Sequence, residues 1–231
     1  MQHHGQQPTG ALGIMTDSAM QRLNMVESQV RPSDVTDRRV IRAMLDLPRE
    51  QFVPDALRSI AYMDTEVTVS PARKLVAPRV LAKLIQELRC EADRSVLDIG
   101  CATGYSTAIL ARLARRVVGL ESDADLAARA QKALGALAVA NATIAQGPLP
   151  AGRANEGPFD AILLNGSVPE APRGLIDQVR DGGRIVGVLA DGAFGQAVVW
   201  TRAGNSLDAR VVFDAGAQPL PGFERTPEFV F

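Results

Sequence analysis

The chain is poor in the residues that carry most acid–base and metal chemistry. Its 231 residues include two histidines, His3 and His4, both near the start of the chain. That leaves no histidine in the body of the protein for proton transfer or metal ligation. The two cysteines, Cys90 and Cys101, lack the spacing of a metal site or a disulfide framework, and they point to a reducing, cytosolic compartment. No Ser-His-Asp or Cys-His pair can be assembled. Aromatic residues make up only 4%, and lysine occurs only at 74, 83 and 132. No apolar run is long enough for a membrane span, and no secretory segment is visible. A net charge of −1 offers no electrostatic drive toward nucleic acid or an anionic membrane.

Hydrophobic residues are plentiful at 46%, enough for one sizeable core. The expected organisation is a disordered leader over residues 1–14, with Met15 as an alternative start, then a helical extension over 15–90 and a core over 91–231. In the extension, Met20, Leu23, Val26 and Val30 recur at helical spacing over 16–30, with Thr16 or Asp17 as the cap. A second helix is expected over 34–47, and one further turn over 56–60. Residues 65–70 read as a short extended segment stopped by Pro71. Pro78 opens a helix to Leu88 with Val80, Leu81, Leu84 and Ile85 buried.

From Ser95 the pattern alternates. Strands are expected at 95–99, 116–120, 142–145, 159–164 and 183–189, and helices at 104–114, 123–137 and 172–180. Extended segments follow at 197–201 and 209–213. This order predicts a doubly wound, mostly parallel sheet with an antiparallel edge. Ligands of such sheets lie at the carboxyl ends of the strands, here Gly100, Glu121, Gln146 and Asn165.

The most informative stretch is SVLDIGCATGYS, residues 95–106. A buried strand stops at Gly100, Gly104 follows, and a helix begins. Glycine lets a ligand approach the main chain closely, and a helix start offers free N–H groups. The next strand ends in Glu121, about 20 residues past the first glycine, the offset of a carboxylate that grips ribose hydroxyls. The G-x-x-x-G spacing lacks the third glycine of a dinucleotide cradle, which favours S-adenosylmethionine and disfavours a dehydrogenase. A turn that merely packs strand against helix explains the glycines but not Glu121.

Other segments narrow the reading. MVESQV at 25–30, RRVIRAMLDLPREQFVP at 38–54, and GPFDAILLNGSVPEAPRGLIDQVRDGGRIVGVL at 157–189 resemble the protein-L-isoaspartate O-methyltransferase family. The resemblance implies a Rossmann-like class I methyltransferase fold with its last strands in exchanged order. It also implies S-adenosylmethionine as methyl donor, a protein or peptide carboxylate as acceptor, and a cytosolic monomer. It carries the cofactor loop onto Asp98 and Gly100, Cys101, Ala102, Thr103, Gly104 and Tyr105. The ribose-binding acid falls on Glu121 and an adenine neighbour on Ser122. Gly-Asp-Gly of the family becomes Ala145-Gln146-Gly147, where glutamine still offers a carbonyl acceptor. Asn165 falls beside the methyl donor or acceptor, or simply caps the following segment.

In the acceptor loop the chain departs from the family. Thr-Ile-Ser becomes Lys74-Leu75-Val76, so a serine hydroxyl that contacts acceptor and cofactor is replaced by Val76. Ser70, Arg73 and Lys74 are the polar residues near enough in sequence to substitute. Methyl transfer to a carboxylate needs alignment and no general base, consistent with the missing histidines. Three readings stand: an isoaspartyl carboxyl methyltransferase, a related enzyme with another acceptor, and a non-catalytic cofactor-binding protein. Cys101 reads as a small loop filler, Trp200 as packing on the edge strand, and Tyr105 as either cofactor contact or packing. The C-terminal run with Phe223, Phe229 and Phe231 reads as a flap over the core or, in a dimer, as packing on a partner subunit, with the flap favoured.

Overall fold

A computed structural model of the chain describes residues 17–191 and 194–225. The leader, with Thr16, and the terminal Phe229 and Phe231 lie outside the described residues. Helix α1 (Asp17–Met25) runs on into a wider turn at Val26–Val30. Helix α2 (Arg38–Asp46) starts later than the pattern predicts, because Asp37 caps it by accepting from the Arg39 amide. Two 3-10 turns, Arg49–Phe52 and Asp55–Ile60, lead to strand β1 (Val67–Ser70). Strand β2 (Arg73–Leu75) turns back on β1 as a small antiparallel hairpin outside the main sheet. The sequence pattern held only the first of these strands.

Helix α3 (Pro78–Glu87) delivers the chain to β3 (Ser95–Ile99). The order continues through α4 (Tyr105–Ala111), β4 (Arg116–Glu121), α5 (Ala124–Ala136), β5 (Ala142–Gln146) and β6 (Phe159–Val168). Three long strands, β7 (Val179–Asp191), β8 (Phe194–Ala203) and β9 (Ser206–Asp214), complete it. The seven-stranded sheet has the order β5-β4-β3-β6-β7-β8-β9. Pairings from β5 to β7 are parallel, and β7-β8-β9 form an antiparallel edge. Trp200 is buried as expected, but on β8, the strand next to the edge; β9 is the edge.

Alternate strand residues feed two hydrophobic layers. Val96, Val117, Leu163 and Val186 face the layer that holds the buried residues of all five α-helices. The N-terminal extension therefore shares its core with the sheet. Leu97, Val118, Ile162 and Ile185 face the other layer. That side has no α-helix among the described residues; it is closed by Leu149, Leu175 and Leu220, carried by 3-10 turns and by the returning C-terminal segment. The helix expected at 172–180 is instead a 3-10 stretch, Arg173–Gln178. Gly174 weakens a helix there. Gln178 is also drawn out of helical use, accepting from the Arg153 amide at 2.6 Å and donating to the Ala151 carbonyl at 2.9 Å.

Candidate active site

Parallel strand ends meet side by side at one edge of the sheet, with Glu121 opposite Gln146 and Ile99 between Leu120 and Leu164. The loop after β3 is tied to β4: the Gly100 and Cys101 amides both donate to the Leu120 carbonyl. Gly100 has φ +77°, and Ala102 adopts φ +50° in the same turn. Gly104, at φ +92°, serves a different purpose from Gly100. A Cβ there would come 3.1 Å from the Ala130 Cβ, so this glycine lets α4 begin close against α5.

Asp98 lies beneath the loop as a buried staple. Its Oδ2 accepts from the Ser106 and Thr107 hydroxyls, each at 2.6 Å, and Ser106 Oγ accepts from the Asn165 amide at 2.7 Å. Burial lifts the Asp98 carboxyl from 3.8 to about 6, against the opposing pull of those two hydroxyls. Asp98 Oδ1 and Asn165 Oδ1 are buried and accept from nothing. Thr103 donates to the Phe52 carbonyl, fastening the loop to the extension. Cys101 is fully buried, and desolvation pushes its thiol well above the usual range, which fits a filler.

Tyr105 sits inside the protein. Its ring packs on Phe52 at 5.3 Å and under the Arg49 guanidinium at 4.8 Å. Arg49 is itself fully buried, donating to the carbonyls of Ala61 and Val76, and burial lowers its pKa. The buried Tyr105 hydroxyl makes no hydrogen bond of good geometry, though the Arg49 guanidinium lies beside it. This residue is packing between the loop and the extension.

Glu121 is fully buried. Oε2 accepts from the Ala102 amide at 2.8 Å; Oε1 accepts from the Ser122 amide and hydroxyl and from the Asp123 amide. Asp123 then caps α5. The carboxylate also faces a cation: Arg73 Nε lies 3.5 Å from Oε2. Arg73 Nη2 donates to the Gly100 carbonyl at 2.6 Å and reaches the Asn165 carbonyl at 3.5 Å.

The acceptor-loop residues divide unexpectedly. Val76 is buried in the main hydrophobic layer, and its carbonyl serves Arg49. Lys74 points the other way, pairing with Glu66 at 3.5 Å near the surface. Ser70 Oγ is buried without a partner. Arg73 is the residue of this loop that reaches Glu121 and Gly100. Arg73 and Leu75 are two apart and buried while Lys74 between them is not, so strand parity separates them once β2 is known. Leu220 was the residue the sequence did not offer. It approaches Gly100 from the C-terminal segment: a Cβ on Gly100 would lie 2.5 Å from its Cδ2 and 2.7 Å from Arg73 Nη2. Of the sequence-derived cofactor residues, Ser122 and Gly147 are partly exposed and Gln146 is exposed; the others are buried.

The family model of protein-L-isoaspartate(D-aspartate) O-methyltransferase matches residues 20–209. The chain belongs to this family. A protein-L-isoaspartate O-methyltransferase of Herpetosiphon aurantiacus is 32% identical over 211 residues, covering 90% of this chain and 94% of the relative. Protein-L-isoaspartate O-methyltransferase 2 of Geotalea uraniireducens is 40% identical over 165 residues, 71% of this chain and 76% of the relative. Among solved structures, the Plasmodium falciparum beta-aspartate methyltransferase (PCMT), in complex with S-adenosyl-L-homocysteine, superposes with a TM-score of 0.74 at 22% identity, covering 89% and 99% of the two chains. A second protein-L-isoaspartate O-methyltransferase superposes at 0.75 and 21% identity, and this chain spans 66% of its length. The two superpositions speak for the fold alone.

The donor set at the strand ends suits a nucleoside cofactor. It offers a carboxylate, two partnerless buried oxygens and a close-approach glycine. Arg73 and Leu220 lie against the Gly100 turn, and Arg73 also lies against Glu121.

Proposed function

We propose that this family member is an S-adenosylmethionine-dependent carboxyl O-methyltransferase acting on isoaspartyl side chains of proteins or peptides. The observation that carries the reading is Glu121 at the tip of β4, beside the Gly100 turn, in a chain of this family. The cofactor, when bound, supplies an electrophilic methyl group. Glu121 would hold its sugar hydroxyls, Gln146 and Ser122 its base, and the Gly100 turn its approach to the main chain. Asn165, held by Ser106, would flank the acceptor side. The acceptor carboxylate is already an anion at neutral pH, so the protein needs to align and desolvate and not to remove a proton. Val76 presents no hydroxyl at the position where the family has serine, so this chain accepts a different carboxylate or a narrower peptide set than typical members.

The test is labelled methyl transfer to an isoaspartyl peptide and to its aspartyl twin. Methylation of the isoaspartyl peptide alone is the expected result. Equal labelling of both would replace the acceptor assignment, and no labelling of any carboxylate peptide would overturn the reading.

A further inference from the structure

A carboxylate destined for sugar hydroxyls should be open to the ligand, yet Glu121 is sealed under Arg73. The seal is built from two pieces. One is the β1–β2 hairpin, which carries Arg73. The other is the strap over 215–225, which runs beside the end of β6: the Ser167 amide donates to the Gln218 carbonyl and the Leu220 amide to the Ser167 carbonyl. The pieces hold each other. The Gln218 amide donates to Glu66 at 2.8 Å, and its side chain donates to the Ala72 carbonyl at 2.8 Å. Gly166, like Gly100, leaves room for the strap: a Cβ on it would lie 2.7 Å from Leu220 Cδ2.

The guanidinium is poorly satisfied in this place. Arginine has five donors. Here Nη2 makes one short bond, to Gly100, its reach to Asn165 is 3.5 Å, and Nε has no directed hydrogen bond despite its ion pair with Glu121. A permanent buried ion pair needs its remaining protons and lone pairs matched. This one leaves Arg73 Nε unmatched, and Asp98 Oδ1 and Asn165 Oδ1 are also buried without partners among these strand-end residues. Such a contact is one that a better-matched ligand displaces.

We propose that Arg73 is a built-in competitor for the cofactor site, and that the hairpin and strap form a roof that opens when the nucleoside enters. This rests on the cofactor reading above. Arg73 takes the Glu121 carboxylate and the Gly100 carbonyl, so occupancy by the side chain and by the cofactor are mutually exclusive. Apparent affinity then falls by the fraction of molecules in the open state.

Calorimetric titration of the full chain with S-adenosylhomocysteine tests this. Arg73→Met, which keeps bulk but loses the charge and donors, is expected to bind at least about tenfold more tightly than the parent. Glu66→Ala, on the half-buried tie between roof pieces and away from the cofactor residues, is expected to tighten binding about threefold. It carries the test if Arg73→Met fails to fold. If parent and variants bind equally, or the variants bind more weakly, the competitor is overturned while the cofactor reading stands. If none binds at millimolar ligand, the cofactor reading is overturned and this proposal with it.

Discussion

The floor and the roof of the crevice obey different rules. The floor is made of the parallel ends of β3, β4 and β6, buried on both faces, with loop amides donating back to Leu120 and Glu121. Its geometry follows from the ladder register, which leaves little choice once β3, β4 and β6 pair. The roof is a hairpin of one four-residue and one three-residue strand and an irregular strap, joined by a few hydrogen bonds between partly exposed groups. The hairpin still anchors Val67, Val69 and Leu75 in the main hydrophobic layer and the strap anchors Leu220 in the other, so the weak points are the exposed ties between the two pieces. A rigid floor under a loosely tied roof lets one scaffold keep its cofactor residues in place while access is controlled elsewhere.

The comparison breaks most visibly at Glu121, where floor and roof touch. Glu121→Ala leaves Arg73 buried without its counter-charge, which typically costs about 3–5 kcal/mol. It also removes the acceptor for the Ala102 amide. Urea unfolding should show that loss, and ligand binding should disappear from calorimetry. Adding Arg73→Met to Glu121→Ala should restore much of the stability and none of the binding. Full stability in the single variant would mean that the ion pair contributes nothing to holding the roof down.

Asp98 sharpens the contrast from inside the floor. Its carboxyl stands at about 6 in the folded protein against 3.8 ordinarily, because burial penalises the charged form. The folded state therefore holds the proton more tightly than the unfolded chain does. Stability contributed by this group is present below about pH 4, is lost as pH rises through about 6, and stays lost above. The rise from 3.8 to about 6 corresponds to about 3 kcal/mol for this fully buried group. Asp98→Asn keeps an acceptor for Ser106 and Thr107 without the charge. Parent and variant unfolding compared between pH 4 and 7 should diverge, with the variant losing less stability as pH rises. Parallel curves would place the Asp98 charge at no cost.

What the sequence disclosed follows the same division. Val96 to Ile99 and Val117 to Leu120 are apolar runs ended by Gly100 and Glu121, and the strand-end chemistry could be read from them because a buried parallel strand has one placement. Arg73 is visible as a neighbour of the acceptor loop, but its burial is not, because residues 73–75 do not read as a strand and parity has no element to act on until β2 is known. Leu220 was less accessible still. Its contact with Gly100 spans more than half the chain and depends on the strap pairing at Ser167, which no local pattern encodes. From sequence Tyr105 reads as cofactor contact or packing, and only the fold brings Phe52 and Arg49 onto its ring. Residues 173–178 form a 3-10 stretch where the pattern predicts a helix, because the Gly174 penalty and the long-range ties of Gln178 are not carried by local apolar spacing.

The smallest effect is expected one residue from the largest roof contact. Lys74 follows Arg73 on β2, so pleat alternation sends it to the opposite side. There it pairs with Glu66 at 3.5 Å, with 41% of its side chain exposed. An exposed pair of this kind contributes about 0–1 kcal/mol and is screened by salt. Lys74→Ala leaves the bonds from Gln218 to Glu66 and Ala72 intact, so the roof keeps its ties. The variant should match the parent in nucleoside affinity and lose less than about 0.5 kcal/mol in urea unfolding. The resemblance to the family put Lys74 among the acceptor-loop candidates, and strand parity removes it in favour of its neighbour. A tenfold change in nucleoside affinity on Lys74→Ala, with none on Arg73→Met, would reverse that assignment and place the lysine side of the hairpin toward the crevice.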